Sequence, residues 1–308
     1  MKWTLLLALL LPAVLLGPGC RGEREDDDTR GRGGNVLEGT GLEGSVRLHV
    51  AEALRPVVDR HVTLFRRNYP RAEFALTTTN TREAYVALVR GQADAVVVDR
   101  PPNAEEQRAL AAAGVDPAEV VLGQGALVAA VHPTNPARML GMDALRRAAA
   151  GQPVQWAEVG GSGGAVRLAL PPLTTGVVEL LTRQLLPPDS LPRPIYAAAD
   201  EADALRWVSE NPAGLTIVSL AAYEGVSEDQ VRAIAVPDSA GAPVLPAPLR
   251  VYANHYPLRH PILLVVGRSA GVVGASFASF VLGTQGQEAV QRAGLVPARL
   301  PVREIELQ

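Results

Sequence analysis

The stretch SVRLHVAEALRPVVDRHVTLFRRNYPRAEFALTTTNTREAYVALVRGQADAVVVDRP, residues 45–101, decides the fold. Ser45–Val50 alternates apolar and polar residues and suits a strand. The spacing of Val57, Val58, Val62, Leu64 and Phe65 predicts a helix after it, ended by Asn68-Tyr69-Pro70. AEFALTTTN is a second strand running into a polar turn. Arg82–Gly91 reads as a short helix, with Gly91 free to take the left-handed stop. Ala93–Pro101 is a nearly continuous apolar run, as expected of a strand covered on both faces. NAEEQRALAAAG follows as a helix capped at Asn103. Strand and helix alternate throughout, which argues for a parallel sheet flanked by helices.

Beyond it, Glu119–Pro136 is a long apolar strand interrupted by Gly123 and Gly125, long enough to cross between two lobes. MDALRRAAAG, TTGVVELLTRQLLP and DEADALRWVSENPAG read as helices, the second opening near Thr175. A strand, LTIVSL, follows the third, and QVRAIAV is expected as another. Leu249–Gly267 is expected to be extended and to form a return crossing, and two closing helices lie over residues 269–294. No short-period repeat is present.

The first residues read differently. Lys2 is followed by an apolar run, Leu5–Leu16, too short to span a bilayer and suited to a signal-peptide core. Cys20 is the sole cysteine, so no intramolecular disulfide can form. Its place just after the apolar run resembles a bacterial lipoprotein signal, in which the cysteine is acylated. RGEREDDDTRGRGG, residues 21–34, has no apolar face and cannot bury enough surface to order itself. It is expected to be a tether to about Glu43. The formal net charge is −3, without a basic stripe, which argues against a nucleic-acid partner.

Motifs for catalysis are weak. Gly160-Gly161-Ser162-Gly163-Gly164 matches G-x-S-x-G, but a strand pattern follows it instead of the helix a nucleophile elbow needs, so it reads as a turn. Lys2 is the sole lysine, which leaves no Walker motif. His255 and His260 lack the further ligands of a zinc site and read as hinge or surface residues. Glu52 and Asp99 both end predicted parallel strands, and ligands of open α/β sheets sit outside such ends. With Asn80 and Thr81 between them, the two carboxylates are expected to share one cleft, unless Glu52 merely favours the positive end of its own helix.

In this order the pieces resemble the phosphate-type substrate-binding proteins of ABC importers, which have the type II periplasmic-binding fold. LFRRNYPRAEFALTTTNTREAYVALVRGQADAVVVDRPPNAEE is similar to that family's first half-lobe, and ALVAAVHPTNPARMLGMDALRRAAAGQPVQWAEVGG to its lobe crossing and Trp-containing turn. WVSENPAGLTIVSLAAY resembles its second-lobe helix and strand. YPLRHPILLVV and FASFVLGTQGQEAVQRAGLVP resemble its return crossing and closing helices.

The resemblance implies an α/β fold of two lobes, each a mostly parallel sheet flanked by helices, joined by a two-strand hinge near Gly123–Gly125 and Tyr252–Tyr256. The expected division is 1–19 signal peptide, 20–43 tether after Cys20, 44–123 and 253–308 first lobe, and 124–252 second lobe. Two lobes would close on a small anionic solute, phosphate or a related oxyanion, and dock on an ABC permease in the membrane. The implied protein is extracytoplasmic, in the periplasm or at the cell surface, lipid-anchored through Cys20 and monomeric, with no catalysis, cofactor or metal.

The binding motifs depart from the family's. Val50-Ala51-Glu52-Ala53 stands where the resemblance implies a Gly-Ser-Ser-Thr-like turn. Thr81-Arg82 corresponds to a second Ser-Gly turn, and Asp99 matches the aspartate that accepts a hydrogen bond from protonated phosphate. ALPPLTTG keeps Thr174 and Thr175 but lacks the Arg and Ser of the third motif. The implied ligand contacts are therefore Ala51, Glu52, Ala53, Thr81, Asp99, Thr174 and Thr175. An ionised Glu52 about 4 Å from a phosphate charge would oppose it by roughly 4 kcal/mol at an effective dielectric near 20. Either Glu52 points away, Arg82 or Arg100 neutralises it, or the ligand is not phosphate. The alternative function is an extracytoplasmic sensor or assembly partner that kept the fold and lost the anion site.

Overall fold

The computed structural model describes residues 41–299 apart from Gly163 and Asp189. The expected signal peptide, Cys20 and most of the tether lie outside the described residues.

The first lobe begins with β1 (Gly44–Ala51), α1 (Arg55–Asn68), β2 (Ala72–Thr79), α2 (Thr81–Val89), β3 (Ala95–Val98) and α3 (Ala104–Ala112). β1 lies between β2 and β3 and runs parallel to both. The period of two along a strand sorts the side chains onto two faces. Ala95 and Val97 of β3 pack with Val46, Leu48, Val50 and Phe65 on one face. Val96 and Val98 pack with Tyr85, Leu88 and Leu110 on the other. All four residues of β3 are buried, as its continuous apolar run predicts. Asn103 caps α3, accepting from the backbone of Glu105 and Glu106, and Glu106 reaches back to the Asn103 N–H.

β4 (Ala118–Val131) carries the chain across. The second lobe follows: α4 (Met142–Ala149), β5 (Arg167–Leu170), α5 (Gly176–Leu185), β6 (Tyr196–Ala197), α6 (Glu201–Glu210), β7 (Gly214–Ser219), α7 (Leu220–Tyr223), β8 (Arg232–Ala233), β9 (Val236–Pro237), β10 (Pro243–Val244) and α8 (Pro248–Tyr252). β5 lies between β6 and β7, parallel to both, and β4 closes the sheet antiparallel to β7. Buried Trp156 anchors this core, and its indole N–H donates to the Ala213 carbonyl.

The chain returns through β11 (Arg259–Val266) and ends with α9 (Gly271–Leu282), α10 (Thr284–Arg292) and β12 (Val296–Pro297). β11 is antiparallel to both β3 and β4. Each lobe thus has a parallel centre, and the crossing strands join it antiparallel. Tyr256 packs with the second core and donates to the Leu127 carbonyl, whereas Ile262 packs with the first. Two local expectations are corrected. Leu249–Tyr252 is helical, because Pro248 sits in the first turn, where its missing N–H costs nothing. QVRAIAV yields two short strands, β8 and the start of β9, because the chain changes partner from β4 to β10. Among the described residues no helix is long and apolar enough to cross a membrane.

Candidate functional site

In each lobe the strand order reverses beside the first parallel strand, β1 in one and β5 in the other. Such switch points are where open α/β sheets bind ligands. The segment after β1, the end of β3, the start of α5 and the end of β7 meet at one interlobe cavity of about 40 Å³. Ala53, Leu54, Asp99, Val177, Ser219 and His260 all line it. Of its lining residues, only Asp99, Ser219 and His260 bring polar side chains, and none is cationic at neutral pH in its ordinary form.

Asp99 follows the last residue of β3 and is buried. Its Oδ1 accepts from the Thr81 hydroxyl at 2.7 Å, and Thr81 is the first residue of α2. Its Oδ2 reaches across to the first residue of α5: a Cβ on Gly176 would lie 2.6 Å from it. Glycine at that position lets the two lobes approach this closely. Burial raises the Asp99 pKa, and the Thr81 hydrogen bond and the positive charge of Arg100 oppose that shift. Ser219 ends β7, in the place in the second lobe that Asp99 holds in the first. Its hydroxyl caps α7 and also contacts Glu201.

The other expected contacts are distributed unevenly. Ala51 is buried at the N-terminal edge of a short 3-10 helix, Glu52–Leu54, and Ala53 lines the cavity. Glu52 is exposed, does not line the cavity and forms no ion pair among the described residues. Thr175 is the N-terminal boundary residue of α5, but its hydroxyl donates to the Pro172 carbonyl at 2.8 Å. Thr174 is exposed and lines a second space, a groove of about 710 Å³ between α2, α3 and α5. Ser162 lines neither space, and His255 is exposed. No cluster of potential metal ligands occurs among the described residues.

The groove holds the charge that the cavity lacks. Arg82, Arg90, Arg100 and Arg183 line it, with Glu105, Glu106 and Glu179. Arg100 grips Glu106 with two hydrogen bonds, 2.6 and 2.8 Å, and reaches Glu179 of α5 in the other lobe at 2.7 Å. Its guanidinium also stacks 5.6 Å from the Tyr85 ring centroid. Burial acts to lower the Arg100 pKa, but the Glu106 and Glu179 contacts outweigh it and keep the group charged. Arg100 is therefore held by the protein's own carboxylates and pairs with neither Glu52 nor a cavity group. Sequence reasoning missed this clasp, Ser219 and the part His260 takes. Ser219 could have been found as the polar end of the strand that mirrors β3. Glu179 could not, because its partner Arg100 lies 79 residues away in sequence.

The two α/β lobes thus turn their switch points toward one shared cavity. A family model for the PBP superfamily domain matches residues 35–285, and the chain belongs to that family. It is similar in fold to a Clostridium perfringens chain described as a phosphate ABC transporter substrate-binding protein with bound phosphate, at 19% identity and a TM-score of 0.66 over 83% of this chain and 100% of that one. It is also similar to an ABC-type phosphate transport receptor from Vibrio cholerae, at 16% identity and a TM-score of 0.71 over 82% of this chain and 99% of that one. No curated protein matches the chain.

Proposed function

We propose that this chain is the extracytoplasmic solute-binding protein of an ABC importer, closing its two lobes on a small oxyanion, with phosphate the first choice. The observation that carries the reading is Asp99, a buried carboxylate that a hydroxyl from one lobe already holds and that faces the first turn of α5 in the other. Helix starts bind anions through free backbone N–H groups. A protonated oxyanion entering between Asp99 and α5 could donate to the carboxylate and accept from the helix start. Ligand binding would then favour the closed arrangement by hinge motion. The closed form would dock on a membrane permease, with the chain monomeric and anchored through acylated Cys20.

A second reading has its own support. The cavity has no arginine or lysine, and its volume of about 40 Å³ leaves room for only a few waters. The Arg100–Glu179 pair joins the lobes through the protein's own charges. Both features suit an extracytoplasmic sensor or assembly partner that lost the anion site. Isothermal titration of ligand-stripped protein with inorganic phosphate separates the two. Heat and a thermal shift at submillimolar phosphate are expected of the importer component. No heat and no shift at millimolar phosphate would eliminate phosphate as the ligand.

A further inference from the structure

His260 lies in β11 directly opposite Gly125 of β4, where the two crossing strands meet. The absent side chain at Gly125 makes room for the ring: a Cβ there would stand within 2.3 Å of Nε2. His260 is 7% exposed and lines the same cavity as Asp99 and Ser219. Its Nδ1 is buried with no hydrogen-bond partner among the described residues. A neutral imidazole needs one acceptor and one donor, and a buried polar atom left unpaired costs about 1–3 kcal/mol. Leucine or isoleucine would fill this apolar site without that cost. Such a group at the hinge, beside the facing switch points, is matched to something that enters the cavity.

We propose that His260 is a ligand contact, donating a ring N–H to the bound oxyanion and taking up a proton as the anion enters. This rests on the oxyanion reading above. The titratable and charged groups near the ring come from several elements. Asp99, just after β3, shares the cavity, and Glu201 of α6 lies behind Ser219. On α5, Glu179 is engaged by Arg100, and Arg183 is near enough to act on Asp99. Glu52, before the cavity-lining Ala53, is exposed. Burial pushes the imidazole down to about 4, so it is neutral at pH 7. An anion beside it favours the imidazolium, because opposite charges raise the pKa of a base. The proton comes from solvent and is returned when the anion leaves.

The test is calorimetry with inorganic phosphate in buffers of different ionisation enthalpy, on wild type, His260→Gln and His260→Leu. Comparison with the variants cancels the titration of phosphate itself. Extra proton uptake in wild type, a loss of that uptake in the Gln variant, and an affinity loss of about tenfold or more in a folded Leu variant are expected. Leu-variant affinity within about twofold of wild type would overturn the assignment and leave the oxyanion reading intact. Absence of phosphate binding by wild type would overturn both. Should neither variant fold, ring-nitrogen NMR of wild-type protein decides: a phosphate-dependent shift of His260 supports the contact, and an unmoved resonance overturns it.

Discussion

The interlobe cavity and the neighbouring groove are built from opposite materials. The cavity is apolar except for Asp99, Ser219 and His260, and two of those three have atoms without a full set of partners or an ordinary pKa. The groove is lined by four arginines and three glutamates, and its buried arginine is fully engaged. The groove therefore serves to hold the lobes, while the cavity retains unmet hydrogen-bonding capacity. A solute-binding protein needs that division, because a site that satisfies itself has nothing to offer a ligand.

The largest effect is expected in the groove. Arg100→Met leaves Glu106, with a side chain only 9% exposed, without its cation. Breaking a buried pair from one side costs about 3–5 kcal/mol, and urea unfolding should show a loss of that order. A loss below about 1 kcal/mol would mean that the clasp is not a structural element.

Next comes the pH dependence of the cavity. His260 sits near 4 in the folded chain against an ordinary 6.5. Between those values the unfolded chain holds more protons. The stability from neutral His260 is therefore complete above about pH 6.5 and falls as pH drops toward 4. A shift of this size corresponds to about 3 kcal/mol. Urea unfolding of ligand-free wild type should weaken more steeply on acidification than that of His260→Gln. Parallel curves would show that the ring is not desolvated. Asp99 acts in the opposite direction. Its raised pKa contributes stability that is complete below its unfolded value and is lost as pH rises through the folded value, so Asp99→Asn should gain most near neutrality.

Gly176→Ala probes the lobe contact at the cavity. Its Cβ would stand 2.6 Å from Asp99 Oδ2, so the lobes must separate or the carboxylate must move. A loss of about 1–3 kcal/mol and a larger radius of gyration by small-angle scattering are expected. The smallest effect belongs to Glu179→Gln. Glu179 is 31% exposed, and glutamine keeps an acceptor for Arg100, so the cost should be about 1 kcal/mol or less. A wider average lobe separation without unfolding would assign the pair to closure rather than to stability.

Much of this was legible in residues 45–101. Periodicity placed β1, α1, β3 and α3, because a period of two or of 3.6 follows directly from backbone geometry. The capping of α3 at Asn103 was legible too, since a capping box is a local motif. Asp99 could be singled out because a carboxylate at the end of an apolar parallel strand is conspicuous. The helix at Pro248–Tyr252 was hidden inside an extended-looking run, where a single turn leaves no full period to detect.

The amino-acid sequence by itself determined the alternation of strands and helices and placed Asp99 at a strand end, because hydrophobic period and chain order are local quantities, while the two-lobed arrangement followed from the resemblance to a known family. Only the tertiary structure decided that Glu52 is exposed, that Arg100 joins Glu106 and Glu179, and that His260 meets Gly125 beside Asp99. The Arg100–Glu179 and His260–Gly125 contacts join residues 79 and about 135 apart in the chain, and they arise when two sheets bring their strand ends together.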